Sequence, residues 1–128
     1  MSLPVNASVE AARSFVRDLR AAQDFMRQQD ELHADERFTQ LRTRLDEARK
    51  RLSWNPQVGR PARLMDARTV QALYLVARAK GLGTARNLPW LRELVIKPYI
   101  LLYAHGEKQV FLLALKHERQ QAFGSFAS

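Results

Sequence analysis

Leu91-Arg92-Glu93-Leu94-Val95-Ile96-Lys97, then Pro98, then Tyr99-Ile100-Leu101-Leu102-Tyr103-Ala104, then His105-Gly106-Glu107, then Lys108-Gln109-Val110-Phe111-Leu112-Leu113-Ala114-Leu115-Lys116 form an almost unbroken run. Each of the three longer pieces is rich in Val, Ile, Leu, Tyr and Phe, and only hairpin-length gaps separate them, which predicts a three-stranded antiparallel meander. With two tight turns, Ile96 pairs with Tyr99, Leu94 with Leu101 and Arg92 with Tyr103. Across the second turn Tyr103 is expected beside Val110, Leu101 beside Leu112 and Lys97 beside Lys116. Alternation then sorts two faces. Val95, Ile100, Leu102, Phe111, Leu113 and Leu115 form one, with Glu93 and His117 at its margins, and this face is expected to be the core. Leu94, Leu101, Leu112 and Ala114 form the middle of the other, rimmed by Arg92, Tyr99, Tyr103 and Lys116. Such a rim suits phosphates and bases, or a partner helix.

Upstream the period changes. Val9, Ala12, Phe15, Val16, Leu19, Ala22, Phe25 and Met26 recur at helical steps, ending near Gln29-Asp30. Phe38, Leu41, Leu45, Ala48 and Leu52 form a second apolar stripe after a polar link, with Asp35 as a candidate cap. Together they predict an antiparallel helical hairpin over 9–53. Residues 3–7 read as a short first strand, with Asn6 or Ser8 able to cap the first helix. After the break at Ser53-Trp54-Asn55-Pro56 a further helix is expected around 69–80, within a segment 64–83 that Gly81 and Gly83 close. Phe123 and Phe126 stand in a polar tail.

The chain has 128 residues, 46% hydrophobic and 27% charged, which is the balance of one globular domain spanning 1–128. No apolar run is long enough to span a bilayer. Met1-Ser2-Leu3-Pro4-Val5-Asn6 lacks the basic and apolar regions of a cleaved signal, so a cytoplasmic location is expected. The absence of cysteine excludes a disulfide scaffold, a zinc–thiolate site and a cysteine nucleophile. His33, His105 and His117 lack metal-ligand spacing, and Gly81-Leu82-Gly83 ends a helix rather than opening one, so neither a metal nor a phosphate-loop cofactor is expected. Of the formal charge of +8, residues 1–52 contribute +1 and residues 53–128 contribute +7. A cationic excess concentrated in one half points to a polyanion or an acidic protein as partner.

Asn55-Pro56-Gln57-Val58-Gly59-Arg60, Leu91-Arg92-Glu93-Leu94, Pro98-Tyr99-Ile100-Leu101-Leu102-Tyr103 and His117-Glu118-Arg119 stand in that order. In this they resemble the ParE/RelE superfamily of type II toxin–antitoxin toxins, whose pattern reads N-P-x-x-G-R, L-R-E-L, P-Y-x-x-x-Y and a final H-x-R. The resemblance runs over about residues 5–121; the segment 64–90 departs from it. It implies an α+β fold in which the hairpin packs on a small antiparallel sheet. It also implies a toxin, of the kind that stabilises plasmids, neutralised by a cognate acidic antitoxin.

Two activities are open under the resemblance. Relatives like RelE cut mRNA on the ribosome by attack of a ribose 2′-OH on its phosphate, which requires cations and a proton donor and acceptor. That would give Arg92, Lys116, His117 and Arg119 catalytic roles, with RNA held by Lys97, Tyr103, Arg60 and Arg63. Relatives like ParE inhibit DNA gyrase without catalysis. A detoxified relative that only binds is the third possibility. By their residue types alone, Arg92 could pair with Glu93 or Glu118, His117 could be a core histidine, and the tyrosines could simply pack.

Overall fold

The computed structural model describes residues 4–63 and 70–120. The opening of the 64–83 segment, and Phe123 and Phe126, lie outside that range. Strand β1 (Ser8–Ala11) leads into α1 (Arg13–Gln29) and α2 (Ala34–Trp54). A 3-10 turn (Pro56–Val58) and a two-residue strand β2 (Arg60–Pro61) come next. Helix α3 (Val70–Ala85) and the meander β3 (Trp90–Ile96), β4 (Tyr99–His105) and β5 (Gln109–His117) complete the order. The fold is α+β. Five strands run in the order β1-β5-β4-β3-β2, with β1 parallel to β5 and the other pairs antiparallel.

The hairpin forms, but over 13–54 rather than 9–53: Val9 lies in β1 and Ala12 precedes α1, while Val16 and Phe25 of the first stripe are exposed. Phe15 and Met26 of α1 and Leu41, Leu45, Ala48 and Leu52 of α2 are buried, and Leu19, Ala22 and Phe38 pack beside them. Asp35 does not cap α2. The helix begins at Ala34, which puts Asp35 and Glu36 in the first turn, where carboxylates favour the helix dipole. The first strand is Ser8–Ala11, later than the expected 3–7, because pairing with Gln109–Leu112 places it. Asn6 turns the chain at φ 57 instead of capping α1, which starts at Arg13.

The first meander hairpin has the expected register, Ile96 beside Tyr99 through Arg92 beside Tyr103. The second does not. Strand β4 runs on to His105, so Tyr103 meets Leu112 and His105 meets Val110. A bulge then shifts the phase, and Leu101 meets Leu115 while Tyr99 meets His117. The bulge places Leu113 and Ala114 with one core and returns Leu115 to the other.

The hairpin also covers the other face of the sheet from the one expected. The helices pack on Leu94, Ile96, Tyr99, Leu101, Tyr103, Leu112 and Leu115, the face expected to stay open. Leu102, Ala104, Phe111, Leu113 and Ala114 instead pack under Leu75 and Ala79 of α3, with Leu88. Both faces are apolar in their centres, so alternation could separate them without assigning either to a layer. Helix α3 also runs through Gly81 and Gly83. At Gly83 a Cβ would lie 2.6 Å from the Leu88 carbonyl oxygen, so this glycine serves close packing rather than ending the helix.

Candidate functional site

At the end of the sheet where β3 begins, the motif residues form one lock. The Asn55 side chain accepts the Gln57 N–H at 3.0 Å and caps the 3-10 turn. The Tyr103 hydroxyl donates to the Pro56 carbonyl at 2.6 Å and accepts the Gly59 N–H at 3.0 Å. A Cβ on Gly59 would come within 2.6 Å of both that hydroxyl and the Glu93 carbonyl, so only glycine fits there. The Arg92 guanidinium donates to the Gly59 carbonyl at 2.9 Å and to His105 Nε2 at 3.1 Å. On the other side of the strand Arg60 holds the buried Glu93 carboxylate at 2.7 Å, with Arg63 at 3.9 Å.

His105 was the residue sequence reasoning missed. Read as a turn residue, it is a strand residue at 1% exposure, with Trp90 against its ring at 5.3 Å. It stands in phase with Leu101 and Tyr103, and that alternation is the signal that could have found it. Its Nε2 accepts from Arg92 and its Nδ1 lies 2.9 Å from the Gly106 carbonyl, the arrangement of a neutral ring protonated at Nδ1. Burial, with the Arg92 charge adding to it, lowers its pKa from the ordinary histidine value, against the pull of the Gly106 carbonyl. Burial likewise raises the pKa of the Tyr103 phenol.

Tyr103 is wholly buried under the helices, so its ring cannot stack on a base as expected. Its work is to pin the turn. Arg92 pairs with neither Glu93 nor Glu118: it is half-buried and held by His105 and a backbone carbonyl.

The other three expected catalytic residues lie at the opposite end of the sheet. Lys116, His117 and Arg119, with Gln120, edge a cavity of about 500 Å³ floored by Ala22, Phe25, Tyr99 and Leu115. Lys116 Nζ donates to the Gln120 carbonyl at 3.0 Å, and the Gln120 side chain accepts the His117 N–H at 2.7 Å. His117 Nδ1 accepts the Arg119 N–H at 3.1 Å, while its ring stands edge-on to Tyr99 at 5.4 Å. Through this Nδ1 acceptor His117 serves the chain reversal after β5. Helix α1 closes the same edge: Ser14 donates to the Leu113 carbonyl, and Asp18 accepts the Leu115 N–H at 3.0 Å. These two, one helical turn apart, meet backbone groups of β5 beyond Leu112, where its pairing with β1 stops.

Arg92 faces Tyr103 and His117 faces Tyr99, four residues along β4. That is roughly 13 Å along the strand, with β4 lying between them. The structure thus divides the expected set in two. Lys97 belongs to neither part. It is exposed in the turn that carries the cis Lys97–Pro98 bond, where its carbonyl accepts from Arg44 at 2.6 Å. Among the described residues no group of three His, Asp or Glu converges on a point, and no helix is long and apolar enough to cross a membrane.

Comparison with known proteins adds three findings. Residues 9–122 match the family described as the ParE toxin of type II toxin–antitoxin system, parDE. No curated protein matches. Among solved structures the chain is similar to one titled "Chromosomal ParDE TA system from P. aeruginosa". The TM-score is 0.55 and the identity 18%, over 88% of this chain and 97% of that one.

Proposed function

The chain belongs to the ParE toxin family of type II toxin–antitoxin systems, and on that premise we propose that it acts by binding, as a non-catalytic inhibitor of DNA gyrase in the cytoplasm, held silent by an acidic antitoxin. The observation that carries this reading is the division of the cationic residues. Cleavage of a phosphodiester needs its acid, base and phosphate-binding cation around one reacting centre, within hydrogen-bond reach of it. Here Arg92 is roughly 13 Å along the sheet from Lys116, His117 and Arg119. Its guanidinium is already committed to His105 and Gly59. Tyr103, the base-stacking candidate, is inside the core. Arg60 is engaged by the buried Glu93 carboxylate, with the exposed Arg63 beside it.

The charge distribution supports the antitoxin. The excess of +7 in residues 53–128 demands a counter-charge from whatever covers that half, and an acidic chain supplies it. The C-terminal cavity combines an apolar floor with Lys116 and Arg119 at its edge, which suits an acidic segment bearing apolar anchors.

Two assays on the purified chain test the proposal. Supercoiling by gyrase should fall with added protein, and mRNA in a reconstituted translation system should stay uncut by primer extension. Cuts that appear only with ribosomes, and vanish in a folded Arg119→Ala protein, would overturn it in favour of mRNA cleavage. Growth that continues unimpeded when the chain is expressed without an antitoxin would leave a binding module in place of a toxin.

A further inference from the structure

Arg37, Arg44 and Arg51 of α2 recur at steps of seven. Each step falls about 20° short of two full turns, so the three keep to one side of the helix over about 21 Å. All are exposed, and they run beside the buried stripe of Leu41, Leu45, Ala48 and Leu52 that packs on the sheet. Arg44 donates to the Lys97 carbonyl at 2.6 Å, which sets this row against the turn between β3 and β4. Arg44 and Arg51 line a cavity of about 310 Å³ whose other wall is Val95, Ile96 and the exposed Lys97. Strand β2 pairs only with Arg92 and Glu93, so Val95 and Ile96 stand on the sheet's edge here. Arg37 lies near Tyr99, where burial raises the phenol pKa and the arginine's charge opposes the rise.

Among the described residues no carboxylate comes within ion-pair distance of Arg37, Arg44, Arg51 or Lys97. Glu47 borders the cavity, and it and Glu36 stand about 60–80° round the helix from the middle of the row. The four cations outnumber these two acids. Helix α1 has the same spacing in Arg13, Arg20 and Arg27, but Asp24 stands within that row, on the side away from the buried Phe15 and Met26. The count of +1 over residues 1–52 therefore conceals one row of uncompensated arginines, because the helix sorts the charges by side.

We propose that this side of α2, with Lys97, binds the phosphate backbone of duplex DNA without reading its sequence. Guanidinium groups pair well with phosphate oxygens. Phosphates of one strand advance about 3.4 Å each along a duplex, so arginines about 10 Å apart meet every third one. A single small anion is too short to span the row. A single strand is held by stacking on exposed aromatic rings, and those beside the row, Phe38 and Tyr99, are half-buried and buried. A protein partner needs apolar anchors, yet the exposed residues of α2 between Arg37 and Arg51 are all polar, and Val95 is the one exposed apolar group in the cavity wall. The inference goes beyond the gyrase reading and is tested without gyrase.

The probe is an end-labelled duplex of about 20 base pairs, titrated with the full chain and followed by anisotropy between about 50 and about 200 mM salt. Binding is expected, and it should weaken steeply with salt. Arg37→Gln/Arg51→Gln/Lys97→Gln, which keeps the Arg44 contact to the turn, should weaken it about tenfold or more at low salt. The slope of log K against log salt should become shallower by about 2 to 3, since each phosphate contact contributes about 0.9. If the triple variant melts early, Arg51→Gln and Lys97→Gln taken singly should each remove about 1 from the slope. Arg13→Gln/Arg20→Gln/Arg27→Gln takes the same charge at the same spacing from α1 and should leave the slope unchanged. Absence of duplex binding overturns the proposal, as do equal losses in the two triple variants. Equally tight binding of a single strand of the same length, or of oligoglutamate, also overturns it. Displacement of the duplex by inorganic pyrophosphate, beyond the effect of chloride at the same ionic strength, would overturn it in favour of a small-anion site.

Discussion

Gly59, Tyr103 and His105 show what single atoms decide in this molecule. The Tyr103 hydroxyl has a donor and an acceptor on the same turn, and both partners are backbone groups. Tyr103→Phe removes the hydroxyl and leaves those groups without a partner, at a cost of about 1–3 kcal/mol. Urea unfolding should report it as a lower midpoint with an unchanged slope. Gly59→Ala should cost at least as much, because the added methyl meets the Glu93 backbone as well as Tyr103. His105 makes the molecule acid-sensitive. Its pKa is lowered in the folded state, so across the window below the ordinary value of 6.5 the unfolded chain binds more protons than the folded one. The stability it contributes is complete above that value and is lost as pH falls toward the folded pKa. The urea midpoint should therefore drop between pH 7.5 and pH 5, and the drop should shrink in His105→Gln.

At the scale of elements, α3 and β5 depart most from what their residues suggest singly. Two glycines in one helix have opposite meanings. Gly81 faces open space, so Gly81→Ala should stabilise the protein by about 0.5–1 kcal/mol through helix propensity. Gly83 sits against the Leu88 carbonyl, so Gly83→Ala should destabilise it, and thermal melts of the two variants should move in opposite directions. In β5 the bulge breaks the alternation that sequence reading depends on. On the other edge of β5, past the end of β1, helix α1 takes over, and Asp18 accepts the Leu115 N–H. Asp18→Leu should deprive that edge group of its acceptor and lower the melting temperature, while Asp24→Leu, exposed further along α1, should not. The stripes of α1 and α2 and the first meander hairpin were legible because each is set by local spacing. The second hairpin was not, since the extension of β4 to His105 and the bulge near Leu113 are settled by packing on both faces.

In the whole molecule the sheet has a helical layer on each face, the hairpin on one and α3 on the other. The lock around Tyr103 and the turn after β5 occupy its two ends. Sites so far apart should act independently. In a double-mutant cycle Tyr103→Phe and Asp18→Leu should add within about 0.5 kcal/mol. Tyr103→Phe and Gly59→Ala, which share one contact, should fall clearly short of additive. The same separation bears on the candidate site. Sequence order groups Arg92, Lys116, His117 and Arg119 together, because order along the chain carries no distances.

The sequence by itself determined the helical hairpin, the presence of a β-meander, the family and the basic C-terminal half. These come from periodicity, from motifs in order and from charge, all of which are properties of short stretches. Only the tertiary structure decided which sheet face the hairpin covers, that Tyr103 is inside, and that the cationic residues stand in two places. Both sheet faces are apolar, and a single bulge reverses the alternation beyond it, so nothing local distinguishes these outcomes. They are settled by side chains distant in the chain meeting across the sheet, as Tyr103 meets the turn at Pro56 and Gly59.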